Sequence, residues 1–250
     1  MEYVNLGNSG LKISRICLGA MQFGNTAPWM VELEDARKVW KKAWDLGINC
    51  IDTANVYSRG RSEEIVGELV KGMREDVVIA TKVYGQMSQS PNGRGLSRKH
   101  IMWQISESLR RLKTDYVDLY QIHRWDYDTP IEETLATLTD LVHQGKVRYI
   151  GASSMWTWQF AKMYYTAEFK GYEKPVSIQT PYNLLYREEE REMIPFCKAH
   201  GIGLIPWSPL AAGILTGKYY KDGKIVVPET ETRVRPGTMD YKIYVEPPEN

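Results

Sequence analysis

Four side chains of this 250-residue sequence, Asp52, Tyr57, Lys82 and His123, have the types and spacing that a proton relay needs. Asp52 closes the apolar run INCIDT, Lys82 closes DVVIATK, His123 closes YVDLYQIH, and Tyr57 follows Asp52 in the loop DTANVYSRG. Tyrosine is a weak acid, with an ordinary pKa of about 10. A lysine ammonium beside it stabilises the tyrosinate left after proton donation, and an aspartate can hold that lysine ionised and oriented. A histidine facing the same point can donate a hydrogen bond to an oxygen on which negative charge develops. This set suits reduction of a carbonyl, in which a nicotinamide cofactor delivers hydride to carbon and Tyr57 delivers the proton to oxygen. Singly the residues carry little weight: the chain has 16 tyrosines, strand-end lysines are usually solvated, and a histidine more often sits satisfied in a core. Their joint placement at the ends of successive strand-like runs is what carries the reading, because strand ends about 4.8 Å apart bring side chains to one volume.

The positioning elements follow from periodicity. Strand-like apolar runs occur at 17–21, 48–53, 76–82, 116–123, 147–153, 176–180 and 203–208. Between them, 33–46, 62–72, 97–113, 131–144, 155–169 and 188–200 have helical spacing, with Ser62 and Ser97 as starts and Gly47, Gly145 and Gly201 as stops. Residues 3–16 read as a hairpin around Asn-Ser-Gly, expected to cap the bottom of the barrel. Alternation of short strands and helices predicts βαβ units and a parallel sheet. No G-x-G-x-x-G follows the first strand, so an α/β (β/α)8 barrel is favoured over a doubly wound nucleotide fold. The chain is read as one barrel domain, 1–250. After Ser208 comes LAAGILTGKYYKDGK and then a polar, proline-rich tail in which no eighth strand is recognisable. Seven strands leave open edges, so the expectation is a fragment lacking its last helix, strand and helix.

Composition narrows the function. With 32 Lys plus Arg against 31 Asp plus Glu, the net charge of +1 offers no field for nucleic acid or an anionic membrane. No basic leader or long apolar span is present, and Cys17, Cys50 and Cys197 read as small core residues in a reducing compartment, so a soluble cytoplasmic protein is expected. A barrel glycosidase would need two carboxylates at strand ends, whereas the fourth and seventh runs end in Gln-Ile-His and Pro-Trp-Ser. His100, His123, His143 and His200 show no metal-binding spacing, and no metal is expected.

The segments INCIDTANVYSRGRSEEIVGELV, IATK, DYVDLYQIHRWDYDTPIEETLATL, GKVRYIGASSM, QTPYNLLYREEEREM and PWSPLAAGILTGKY together resemble the aldo-keto reductase family, over essentially the whole chain. The HRWDYDTPIEET and IGASSM forms are most similar to its YajO-like bacterial branch. The resemblance implies an NADPH-dependent barrel oxidoreductase acting on a small carbonyl substrate, with Asp52, Tyr57, Lys82 and His123 as catalytic tetrad. It further implies that Gly19, Ala20, Met21 and Asp52 line the cofactor, that Ser153 and Gln179 hold the carboxamide, that Ser154 is a further cofactor contact, and that Trp207 stacks on the nicotinamide. Ser208, Leu210, Ala211, Gly213 and Lys218 would surround the pyrophosphate; small residues let backbone amides approach phosphate, and a lysine adds charge. Ser154 stands where many members carry Asn, which weakens one carboxamide contact.

The alternative is a non-catalytic, regulatory NADPH-binding protein of the same fold, like channel β subunits, many of which lack the histidine kept here as His123. Arg94, Arg124 and Trp125, in loops 84–96 and 124–130, hint at a small polar or phosphorylated substrate. In the family the groups gripping the 2′-phosphate follow the eighth strand. These 250 residues are therefore expected to bind NADPH weakly or not at all, and a fluorescence titration giving low-micromolar affinity would contradict that.

Overall fold

A computed structural model of the chain describes residues 1–227, 232–234 and 236–245. It opens with an antiparallel hairpin, β1 (Tyr3–Asn5) and β2 (Lys12–Ser14). Seven parallel strands follow: β3 (Leu18–Gly19), β4 (Cys50–Asp52), β5 (Val78–Val83), β6 (Val117–Ile122), β7 (Val147–Ser153), β8 (Ser177–Gln179) and β9 (Gly203–Leu204). Each pairs with its successor in chain order, and the six crossovers carry α1 (Leu33–Asp45), α2 (Arg61–Leu69), α3 (Arg98–Leu112), α4 (Ile131–His143), α5 (Thr157–Lys170) and α6 (Met193–His200). This is the topology of a (β/α)8 barrel, with seven strands of the sheet among the described residues. At about 4.8 Å per strand, β3 and β9 would lie about 29 Å apart in a flat sheet. Instead Cys17 beside β3 and Ile205 beside β9 join one interior cluster, so the sheet is curled.

The period of two in each strand separates two apolar layers. Ile51, Ile79, Val83, Tyr120, Ile122, Ile150 and Ile178 face outward and pack with Trp40, Ile65, Ile105, Leu135, Leu138 and Phe160 of the helices. Cys50, Val78, Ala80 and Leu119 face inward and are packed against Leu6 and Ile13 of the hairpin. Gly7, with φ +58, lets the hairpin meet the β8 and β9 backbone: a Cβ there would lie 2.6 Å from the Gly201 oxygen. Further along each strand the inward positions turn polar, giving Asp52, Lys82, Gln121, Ser153 and Gln179. Alternation alone thus places the chemistry above an apolar plug.

Some local expectations change. Ser97 caps α3, its hydroxyl accepting from the His100 amide at 3.3 Å, but Ser62 does not cap α2. Gly60, at φ +97, occupies the cap, and the buried Ser62 hydroxyl donates instead to the Ala20 carbonyl at 2.7 Å. The segment 188–200 is not one helix. A short 3-10 turn at Glu188–Glu190 precedes α6, and Pro195, which has no N–H to donate, falls in the first turn of α6, where none is needed. The stretch after Ser208, in which no eighth barrel strand is recognisable from sequence, contains a hairpin, β10 (Tyr220–Lys221) and β11 (Lys224–Ile225), turned by Asp222 and Gly223 at φ +50 and +80. Asp-Gly is a strong signal for that turn. A last helix, α7 (Met239–Tyr244), contributes Tyr244 to a separate cluster with Ala211, Ile214, Tyr219 and Val234.

Helix α2 approaches α3 closely at Gly67, where a Cβ would lie 2.8 Å from the Arg111 carbonyl oxygen. Backbone cannot retreat as a flexible side chain can, so Gly67→Ala is expected to cost about 1–3 kcal/mol in a urea melt despite alanine's better helix propensity.

Candidate active site

Lys82 is the centre of the site. Its side chain is fully buried, and its ammonium donates to Asp52 Oδ2 at 2.5 Å, to the Thr53 carbonyl at 2.8 Å and to the Tyr57 hydroxyl at 3.3 Å. Burial opposes the charge, but Asp52 and Tyr57 outweigh it and the pKa is raised above the usual lysine value. Asp52 is held from its other oxygen, Oδ1, which accepts from Gln121 Nε2 and Gln179 Nε2, each at 3.0 Å. The carboxylate is thereby fixed by β4, β5, β6 and β8 together. His123 packs edge-on against the Tyr57 ring, with centroids 5.6 Å apart and planes at 82°. Burial, followed by the positive charges of Lys82 and Arg124, pushes His123 down from 6.5 to about 2. It is a neutral imidazole at working pH, able to donate one hydrogen bond but holding no charge.

Tyr57 is positioned by a strained turn, Tyr57–Gly60, in which Ser58 and Arg59 have φ +45 and +54. Left-handed backbone is unfavourable for such residues and persists only where the surroundings enforce it. Enforcement comes from both flanks. The Asn55 amide donates to the Lys82 carbonyl at 3.2 Å, and its side chain donates to Gln104 of α3 at 3.0 Å. On the far flank, buried Glu63 accepts from Arg111 at 2.7 Å and from Thr81 at 2.6 Å, tying α2 to α3 and β5.

The tetrad opens onto a cleft of about 830 Å³. Asp52, Tyr57 and His123 line it, while the Lys82 ammonium lies behind them. Of the residues expected at a cofactor, Gly19, Met21, Ser153, Gln179, Trp207, Ser208, Leu210, Gly213 and Lys218 are on its wall. Ala20 and Ala211 are not: both are fully buried, and Ala211 packs with Ile214 and Tyr219. Nor is Ser154, whose hydroxyl accepts from Trp207 Nε1 at 3.0 Å and so orients the indole. Cys17 is no simple core residue, since it lines the cleft with its Sγ 2.9 Å from Cys50 Sγ. Gln121 was missed, although its place two residues before His123 puts it on the same inward face. Trp29, Thr232 and Arg233 also reach the wall, from loops with no recognisable pattern.

A curled parallel sheet with a polar cleft at its carboxyl ends defines an α/β-barrel domain built for small-molecule chemistry. The sequence profile of the Aldo/keto reductase family matches residues 15–246, and the chain belongs to that family of oxidoreductases. It is 46% identical over 242 residues to the Aldo-keto reductase dtxS3 of Metarhizium robertsii, covering 86% of this chain and 65% of that protein. A putative aryl-alcohol dehydrogenase, AAD16, of Saccharomyces cerevisiae is 46% identical over 239 residues, with 86% and 70% covered. The versiconal hemiacetal acetate reductase of Aspergillus parasiticus is 44% identical over 237 residues, with 86% and 69% covered. The chain thus spans 65% of the length of the first of these relatives. All three are fungal, so the similarity to a bacterial branch is not supported. Among the described residues, no helix is long and apolar enough to cross a membrane.

The His123 environment makes a pH prediction. In carbon-detected NMR of histidine-labelled protein, the His123 Cε1 resonance, assigned with His123→Asn, should not titrate between pH 8 and 5. A midpoint near 6.5 would show that the imidazole is not held neutral. Because its folded pKa lies below the unfolded one, this group favours folding less as pH falls below about 6.5.

Proposed function

We propose that the protein catalyses the reversible NADPH-dependent reduction of an aldehyde or ketone to an alcohol, with Tyr57 as the proton donor. The observation that carries this reading is the Tyr57 hydroxyl placed 3.3 Å from a buried Lys82 ammonium that is itself neutralised by Asp52. A phenol next to a fixed positive charge loses its proton at lower cost. Lys82 and Asp52 act through Tyr57, whereas Tyr57 and neutral His123 face the cleft and can both hydrogen-bond a carbonyl oxygen.

The cleft suits a dinucleotide. Gly213, at φ +99, has no side chain to obstruct phosphate, and a Cβ there would lie 2.7 Å from Lys218 Cε, so Lys218 stands over bare backbone. Arg233, paired with Asp240 at 2.8 Å, also reaches this wall and is hydrogen-bonded to Ser208 at 3.2 Å. Gln179 uses its amide nitrogen on Asp52, which leaves its oxygen for a carboxamide donor, and Trp207 offers a ring face. The cofactor would supply the hydride. The pyridine nucleotides share these contacts, and the preference for NADPH rests on the family resemblance. Names of the relatives, among them aryl-alcohol dehydrogenase and hemiacetal reductase, fit carbonyl and alcohol substrates. A purely regulatory role is disfavoured by the complete relay.

Tyr57→Phe tests the relay. In the whole protein at saturating NADPH, reduction of 4-nitrobenzaldehyde should fall by about 10³-fold or more, while NADPH affinity by fluorescence titration stays within about threefold. Undiminished turnover in the variant would remove Tyr57 from the mechanism.

A further inference from the structure

Arg124 is a charged group on the cleft wall that neither the relay nor the expected phosphate contacts use. It follows His123 at the end of β6, and burial pulls its pKa down from the ordinary arginine value, with Tyr57 and Tyr84 partly opposing. The other arginines in comparably enclosed places are neutralised: Arg111 pairs with Glu63, Arg74 with Asp118, and Arg233 with Asp240. Arg124 has no carboxylate within ion-pair distance among the described residues, and its hydrogen bond runs from Nη1 to the backbone carbonyl of His123 at 2.6 Å. The nearby carboxylate on its own loop, Asp126, accepts from the Leu96 amide at 2.7 Å, from Thr129 at 2.8 Å and from the Asp128 amide at 3.1 Å, which fixes the loop. A guanidinium carries five N–H donors in a planar fork, so most of its capacity is uncommitted. An enclosed charge left in this state is unfavourable unless an anion completes it.

The location decides which anion. Lys218, the cation expected at cofactor phosphates, and the Asp240-paired Arg233 lie beyond β9, whereas Arg124 lies beyond β6, three strands away in the sheet order. Ser153 and Gln179, expected at the carboxamide, sit at the ends of β7 and β8, between the two. Arg124 lines the same cleft as Tyr57 and His123 and lies close enough to interact electrostatically with both, where the reacting oxygen would sit. The geometry points to Arg124 as a specificity-determining residue: the substrate is a carbonyl compound carrying an oxyanion, carboxylate or phosphate, that the guanidinium grips while the carbonyl faces Tyr57 and His123. This rests on the reductase reading above and narrows it to a substrate class. The same charge helps keep His123 neutral, so the arginine serves the site in two ways.

Calorimetric titration of the protein with benzoate, phenyl phosphate and the neutral benzamide, at fixed ionic strength, tests the grip without turnover. At least one of the two anions should bind about tenfold or more tightly than benzamide, because a charge-assisted bidentate contact is about twice as strong as a neutral one. Arg124→Gln should abolish that preference, and Arg124→Lys, which keeps charge but not the fork, should retain part of it. Circular dichroism of each variant verifies folding. Which anion is preferred separates carboxylate from phosphate. Anions binding no better than benzamide, no measurable binding of either anion, or a preference that survives Arg124→Gln would each overturn the proposal. A parallel assay compares reduction of 4-carboxybenzaldehyde with that of its methyl ester. Anion preference in calorimetry with neither aldehyde reduced would sink the reductase reading while leaving the anion site standing. Reduction of both at equal efficiency would do the reverse.

Discussion

A lysine ammonium with no solvent exposure is the constraint around which the rest is arranged. Left alone in an interior, such a charge would deprotonate or unfold its surroundings. Lys82 keeps its proton because three oxygens, from Asp52, Thr53 and Tyr57, surround it within hydrogen-bond reach. Asp52 can serve only while its own second oxygen is satisfied, and that falls to Gln121 and Gln179. One buried ion pair thus fixes the relative positions of four strands. Pairs of this kind contribute little net stability, since desolvation offsets most of the attraction, but breaking them is costly. Their value here is geometric: the phenol that faces the cleft is held against a charge that cannot move.

The electrostatics of the cleft follow from that pair. Asp52 neutralises Lys82 locally, and the neighbouring histidine is depressed mainly by its burial, with the charges of Lys82 and Arg124 adding to it. The wall thus places a phenol hydroxyl beside a buried ammonium, a neutral imidazole at its edge and a guanidinium next in the chain.

The two sides of the cleft are built differently. The tetrad side stands on regular strand ends and one strained turn locked by the buried Glu63 and Arg111 pair. The opposite side is largely irregular chain from Trp207 to Tyr219, with Ser208, Ala211 and Ala212 at positive φ and its apolar residues in a cluster apart from the barrel core. A long, flat cofactor needs bare backbone, which loops provide and helices do not. A proton relay needs positional accuracy, which strands supply.

Periodicity alone was sufficient for the seven strands, their parallel order, and the inward placement of Asp52, Lys82 and His123, because a period of two leaves no freedom once the core face is known. The family could be recognised from local motifs because they fall at the ends of these same strands. Local sequence misled where a residue's partner lies far along the chain. Ser62 looks like a cap but serves the Ala20 carbonyl, the Ser154 hydroxyl is engaged by Trp207, and Ala20 and Ala211 sit among wall residues yet are fully buried. The Asp-Gly hairpin of the tail was legible and overlooked. What only the tertiary structure decided was which polar groups find partners: Asp52 gains two glutamines from distant strands, and Arg124 gains no carboxylate among the described residues. Neither fact is a property of spacing, since hydrogen-bond satisfaction depends on neighbours that the curled sheet brings together from far along the chain.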